Sequence, residues 1–141
     1  MIPRTVLVAS GAFDELSQAQ VGAAIARGLS AGGWQVDLCP VASTGGGDVR
    51  EVLDALDFDT RMRRARAVVI AEHLLKERAL LGSTTFEIAT RARQAGVPAY
   101  ALTTINLLDP FDARILDLQA VIQAHGVRGL APAARRLAGL L

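Results

Sequence analysis

Cysteine is almost missing from this chain: Cys39 stands alone among 141 residues, so no internal disulfide can staple the fold. No charged and apolar leader with a cleavage site opens the sequence, and the expected compartment is the cytoplasm. Lysine is equally scarce, Lys76 being the one example among fifteen basic residues. Fifteen basic against fourteen acidic residues leave a net charge of +1, which gives no electrostatic footprint for nucleic acid or an anionic membrane. Aromatics make up only 4% of the residues, too few to interleave with the basic run Arg61, Arg63, Arg64 and Arg66 as a base-stacking surface would need. That run reads as a solvated face ahead of a strand. No apolar stretch approaches the roughly 20 residues that span a bilayer. The GXSXG elbow, the HEXXH helix, paired CXXC motifs and the GXGXXG fingerprint are all absent, so no local motif declares a chemistry or a metal site.

What is present is a core. Hydrophobic residues make up 51% of a chain of single-domain length, and short β-branched runs alternate with helical stripes from end to end. That alternation predicts an α/β fold, a Rossmann-like three-layer sandwich with a mostly parallel central sheet of about four strands and one domain over 1–141. Thr5 to Ala9, Trp34 to Cys39, Ala67 to Ala71 and the VPAYALT segment read as strands. Ser17 with Gln20 reads as a capping box opening the first helix, and Gly32 and Gly33 as its end. Asp48 reads as the cap of a helix striped by Val49, Val52, Leu53 and Leu56. The polar DFDTRMRRAR that follows reads as a connection or a brief helical turn. Thr84 with Glu87 opens a helix ending at Gly96, and Asp109 before Pro110 opens another whose face carries Phe111, Ile115, Leu118 and Ile122. His125 beside Gly126 reads as a helix C-terminal cap. The last helix carries Leu130, Ala134, Leu137 and Leu141.

In an open parallel sheet ligands sit outside the carboxyl ends of the strands, so four loops matter: Ser10 to Glu15, Pro40 to Asp48, Glu72 to Ser83, and Thr103 to Asp109. The second holds VASTGGGD, in which three glycines let backbone N–H groups converge on an anion. The lysine of a phosphate-binding P-loop is missing there, and Asp48 stands after the last glycine. Ser43, His73 and Asp14 could form a nucleophile, base and orienter, though nothing in their spacing demands it. The competing reading of His73 is a hydrogen-bonded polar residue at a strand end. Glu72 and His73 are adjacent and point different ways, so they do not share a metal.

The order of segments resembles that of the bacterial glycerate kinase family. TVLVASGAFDELSQAQVGAAIARGL followed by VDLCPVASTGGG is similar to that family's opening strand, its APDSFKGSLSA loop and its second strand ending in PVADGGEGT. ARAVVIAEHLL through GSTTFEIATRARQAGVPAYALT is similar to its C-terminal part, where ADLVITGEG leads to a GKAPIGVA loop and a GVP strand. The resemblance implies that the family's second domain has been deleted near 57–61. Carried over position by position, Phe13 is kept and Asp14 stands at or near the first-loop lysine. Ser43 replaces an aspartate and Gly46 a glutamate, while Gly45 and Gly47 are retained next to Thr44. Glu72 and His73 fall on the GEG loop, Glu77 near an aspartate, and Ser83 on a lysine.

Most charges that would position ATP, magnesium and glycerate are therefore lost. Phosphoryl transfer rests on positioning and electrostatic stabilisation, so the resemblance implies a protein without kinase activity. The expected function is a small-molecule or anion-binding or interaction module, with a small anionic metabolite as partner and no cofactor, ATP and magnesium being needed only if kinase activity persists. The alternative is an enzyme, either a residual glycerate kinase or a repurposed activity at the same loops. A homodimer is also expected, covering Leu74, Leu75, Leu80 and Leu81 or the face near Phe58 and Met62.

Overall fold

The computed structural model describes residues 4–13, 16–41, 48–75 and 83–141. Five strands form one sheet: β1 (Thr5–Ser10), β2 (Gln35–Pro40), β3 (Ala67–Leu75), β4 (Ala99–Asn106) and β5 (Leu118–Gln123). Their spatial order is β2-β1-β3-β4-β5 and every neighbouring pair is parallel. Six helices connect them among the described residues: α1 (Gln18–Ala31), α2 (Val49–Ala55), α3 (Phe58–Arg63), α4 (Thr84–Ala95), α5 (Pro110–Ile115) and α6 (Leu130–Ala138).

The nearly continuous apolar runs of β1, β3 and β4 follow from burial on both faces. Val6 and Val8 of β1 and Val69 and Ala71 of β3 join a core built with α1 and α6. Their neighbours Leu7, Ala9, Val68 and Ile70 join a second core built with Leu53 of α2, Phe58 and Met62 of α3, and Ile88 of α4. The sheet thus separates two cores, which is the expected three-layer sandwich. On the first face α1 lies unusually close to α6, because Gly28 and Gly32 offer no Cβ there. One placed on Gly28 would come within 2.7 Å of Ala134 Cβ.

The caps explain most helix starts. Ser17 Oγ accepts from Gln20 N–H while Gln20 Oε1 accepts from Ser17 N–H, the expected capping box. Asp48 accepts from Arg50 N–H at 2.9 Å, and Asp109 from Asp112 N–H at 2.9 Å. Ser83, not Thr84, caps α4 by accepting from Phe86 N–H at 3.1 Å.

Three expectations change. The single long helix after Asp109 is instead α5 and the fifth strand β5, separated by a turn in which Asp117 takes a left-handed φ of 56°. His125 therefore follows a strand and caps no helix. Arg61 is not a solvated member of a basic run. Its guanidinium grips Asp37 of β2 through two hydrogen bonds of 3.0 and 2.7 Å and donates a third to the Leu38 carbonyl at 2.8 Å. DFDTRMRRAR holds α3, whose Phe58 and Met62 are buried in the core of their own chain, as is Leu75. Among the described residues no helix is long and apolar enough to cross a membrane.

Candidate functional site

From β1 the chain winds to β2 on one side and, through β3, to β4 and β5 on the other, so the strand order reverses between β1 and β3. Strand-end loops diverge at such a point and leave a crevice. A cavity of about 290 Å³ lies there. Ala9, Gly11 and Ala12 form its β1 wall, Ile70, Ala71 and Glu72 its β3 wall, and Val41 and Thr84 close the sides. Ala9, Gly11, Ala12 and Ala71 keep much of this wall small. The Gly11 amide donates to the Ala71 carbonyl at 3.0 Å, which ties the first loop to the middle of β3 where that strand runs on past the end of β1.

Glu72 brings the charge. It lines the cavity next to the start of α4, and the Thr85 hydroxyl donates to its Oε1 at 2.8 Å. Burial pushes its carboxyl above the ordinary value of 4.5, and the Thr85 hydrogen bond offsets this only in part. The site therefore offers a half-buried carboxyl group that protonates more readily than a surface one.

His73 faces the other way. Its ring meets Phe13 edge-on, with centroids 5.6 Å apart, and Phe13 belongs to the core beneath α1. Its Nδ1 lies 2.6 Å from the Thr104 hydroxyl, which is also 2.8 Å from the His73 carbonyl oxygen. A hydroxyl has one proton. It goes either to that carbonyl or to Nδ1, and the ring tautomer sets which. Thr103 adds a hydrogen bond of 3.0 Å to the same carbonyl. His73 is thus bonded to β4 through Thr104, on the other side of the sheet from the Thr85 contact of Glu72.

Of the residues singled out in the sequence, Phe13, Glu72, His73 and Ser83 are placed, and Ser83 serves as the α4 cap. Asp14, Ser43, Thr44, Gly45, Gly46, Gly47 and Glu77 lie outside the described residues, so the glycine turn and the Ser43, His73 and Asp14 arrangement do too. Among the described residues no group of three His, Cys, Asp or Glu side chains could hold a metal ion. Cys39 is fully buried, and burial raises its thiol pKa against the opposing pull of Arg61, so it is a poor nucleophile. Thr85 and the small cavity walls were not singled out in the sequence. A threonine in the first turn of a helix carries no local signal that it will reach a carboxylate on a strand.

No protein-family model matches the chain, and no curated protein matches it. Among solved structures, it is similar to a diflavin flavoprotein A3 from Nostoc sp.. The likeness has a TM-score of 0.51 at 15% identity and covers 96% of this chain and 90% of that one. Two expectations are corrected by this finding. The structural neighbour is not a glycerate kinase, and neither family models nor curated proteins support that family. The shared strand, loop and helix order reflects the parallel α/β architecture. The expectation of no cofactor falls as well, because the neighbour is described as a flavoprotein. The fold is a flavodoxin-like doubly wound α/β sandwich, with strand order 2-1-3-4-5.

Proposed function

We propose that this chain is a small-ligand-binding module whose ligand enters the crevice between the carboxyl end of β1 and the middle of β3, and that the ligand is a neutral planar ring presenting an N–H donor to Glu72. The observation that carries the reading is the cavity itself, short-walled and with one acidic side chain in its lining. A flavin is the first ligand to test, because the structural neighbour is described as a flavoprotein.

The two ends of a flavin mononucleotide fit this wall differently. Its ring system is apolar on its faces and carries an N–H on its edge, which suits short apolar walls and a carboxyl acceptor. Its phosphate would be opposed by Glu72 if placed against this wall. The reading therefore favours riboflavin, or a similar uncharged ring, over its phosphate.

Titration of the protein into riboflavin and into flavin mononucleotide, followed by flavin fluorescence and thermal melting, tests this. The expected result is saturable quenching and a raised Tm with riboflavin, no tighter binding with the phosphate, and about tenfold weaker riboflavin binding in Glu72→Ala, as loss of one hydrogen bond implies. Absence of both signals with both compounds overturns the flavin assignment. Equal affinity in the Glu72→Ala variant overturns the site.

A further inference from the structure

On the opposite face of the sheet a second concavity of about 410 Å³ runs between the first half of α1 and the turn at Val127–Gly129. Leu16, Ala23, Ala24 and Val127 give it an apolar floor, and Arg27 and Arg128 stand along it. Both arginines are exposed, and among the described residues neither has an ion-pair partner. This sets them apart from Arg61 and Arg91, which are bound into carboxylate contacts that tie elements together. The groove shares no described lining residue with the Glu72 cavity, so the two concavities are separate sites.

We propose that this groove binds a small amphipathic acid, its apolar body lying on Leu16, Ala23, Ala24 and Val127 and its carboxylate held by Arg27 and Arg128. The chemistry is complementary at both ends. Guanidinium groups present paired N–H donors in the geometry of a carboxylate, and two of them lining one groove favour an anion over a neutral polar head. The volume lies in the range of small-ligand pockets and is too small for a helix of a partner protein laid along several turns. The carboxylate selects against the Glu72 cavity, whose own acid repels it. Nothing in this inference depends on whether a flavin binds.

Titration with octanoate, followed by methyl resonances of Ala23, Ala24 and Val127, tests the assignment, with octanol as the uncharged control. The expected result is saturable shifts at these methyls with octanoate, much weaker shifts with octanol, and at least tenfold weaker octanoate binding in the Arg27→Glu, Arg128→Glu double variant. The Arg27→Lys, Arg128→Lys variant should recover part of the affinity, since a lysine keeps the charge but loses the fork. Both residues are exposed, so the variants should melt with the wild type, which separates lost binding from lost folding. Equal octanoate affinity in the charge-reversed variant, no saturable shifts, or shifts at Ala9 and Ala71 in their place would each overturn the proposal.

Discussion

Glu72 sets the charge that the crevice presents, and its titration has a consequence for folding. Its carboxyl is held above 4.5 in the folded chain by burial, while the unfolded chain titrates near the ordinary value. Between those two values the folded state holds a proton that the unfolded state has released. Stability is therefore fully present below the unfolded value and is lost as pH rises through the folded one. Glu72→Gln keeps the shape and removes the titration, so its Tm should exceed that of the wild type at neutral pH and lose the decline above the carboxylate range. Melts at a series of pH values check this, and parallel profiles for the two proteins would count against a buried Glu72. Gly28 supplies a second test. In an exposed helix Gly→Ala stabilises by about 1 kcal/mol, but here the added methyl must push α1 off α6. Overpacking of this kind costs about 1–3 kcal/mol, so Gly28→Ala should lower stability in chemical denaturation. Single residues were legible where their partners are near in sequence. Ser17, Asp48 and Asp109 were readable as caps because the amide each one holds is two or three positions on. Ser83 and Thr84 both have cap chemistry, and only the backbone conformation chooses between them. The Thr85 contact to Glu72 spans thirteen positions and depends on α4 meeting β3, which no local pattern reveals.

The elements most dependent on one side chain are α2, α3 and α4. Arg91 of α4 meets Glu87 of its own helix at 3.1 Å, Asp54 of α2 at 2.9 Å and Asp59 of α3 at 3.2 Å. Only 11% of the Arg91 side chain is exposed, and three carboxylates share it. Its removal leaves three acids without their shared cation, but Asp54 and Asp59 are exposed to water, so Arg91→Ala should cost about 1–2 kcal/mol through lost charge-assisted hydrogen bonds. Hydrogen exchange should show the loss as faster opening of α2 and α3 with β3 little changed; uniform acceleration across the chain would argue against this local role. The fifth strand shows where element reading fails. Phe111, Ile115, Leu118 and Ile122 recur at helical spacing, yet the chain turns at Asp117 and LQAVIQ pairs with β4. A competing signal was present in LQAVIQ itself, which is uncharged and carries the β-branched pair Val121 and Ile122. A short apolar run fits either period, and pairing with a neighbouring strand decides.

At the scale of the molecule, the sheet is a shared wall between two cores that never touch. The alternation of side chains along β1, β3 and β4 made this three-layer plan readable, because a strand covered on both faces must be apolar on both. The crevice was readable only as a place: strand-end loops were marked as the site, but which walls stay short enough to leave a cavity depends on neighbours from β1, β3 and α4 together. The same burial bears on assembly, since Phe58, Met62 and Leu75 are in the core and the exposed large apolar residues include Ile105, Leu107, Phe111 and Ile115 around the end of β4 and α5. Two cores divided by one sheet make a quantitative prediction. Ile25 of α1 is fully buried on one face of the sheet and Ile88 of α4 fully buried on the other. Ile→Val at either position removes one methylene and should cost about 0.5–1.5 kcal/mol. The two sites share no contacts, so the double variant should lose the sum of the two costs to within about 0.5 kcal/mol. The sheet nevertheless joins them mechanically, since each of β1 and β3 contributes side chains to both cores. Neither face can unfold while the other keeps its wall, and all three variants should retain one cooperative transition with unchanged denaturant dependence. A coupling above about 1 kcal/mol would mean that strain crosses the sheet, since well-separated sites normally add to within a few tenths. A second transition in either single variant would mean that one face can melt alone, and with it the picture of a shared wall would fail.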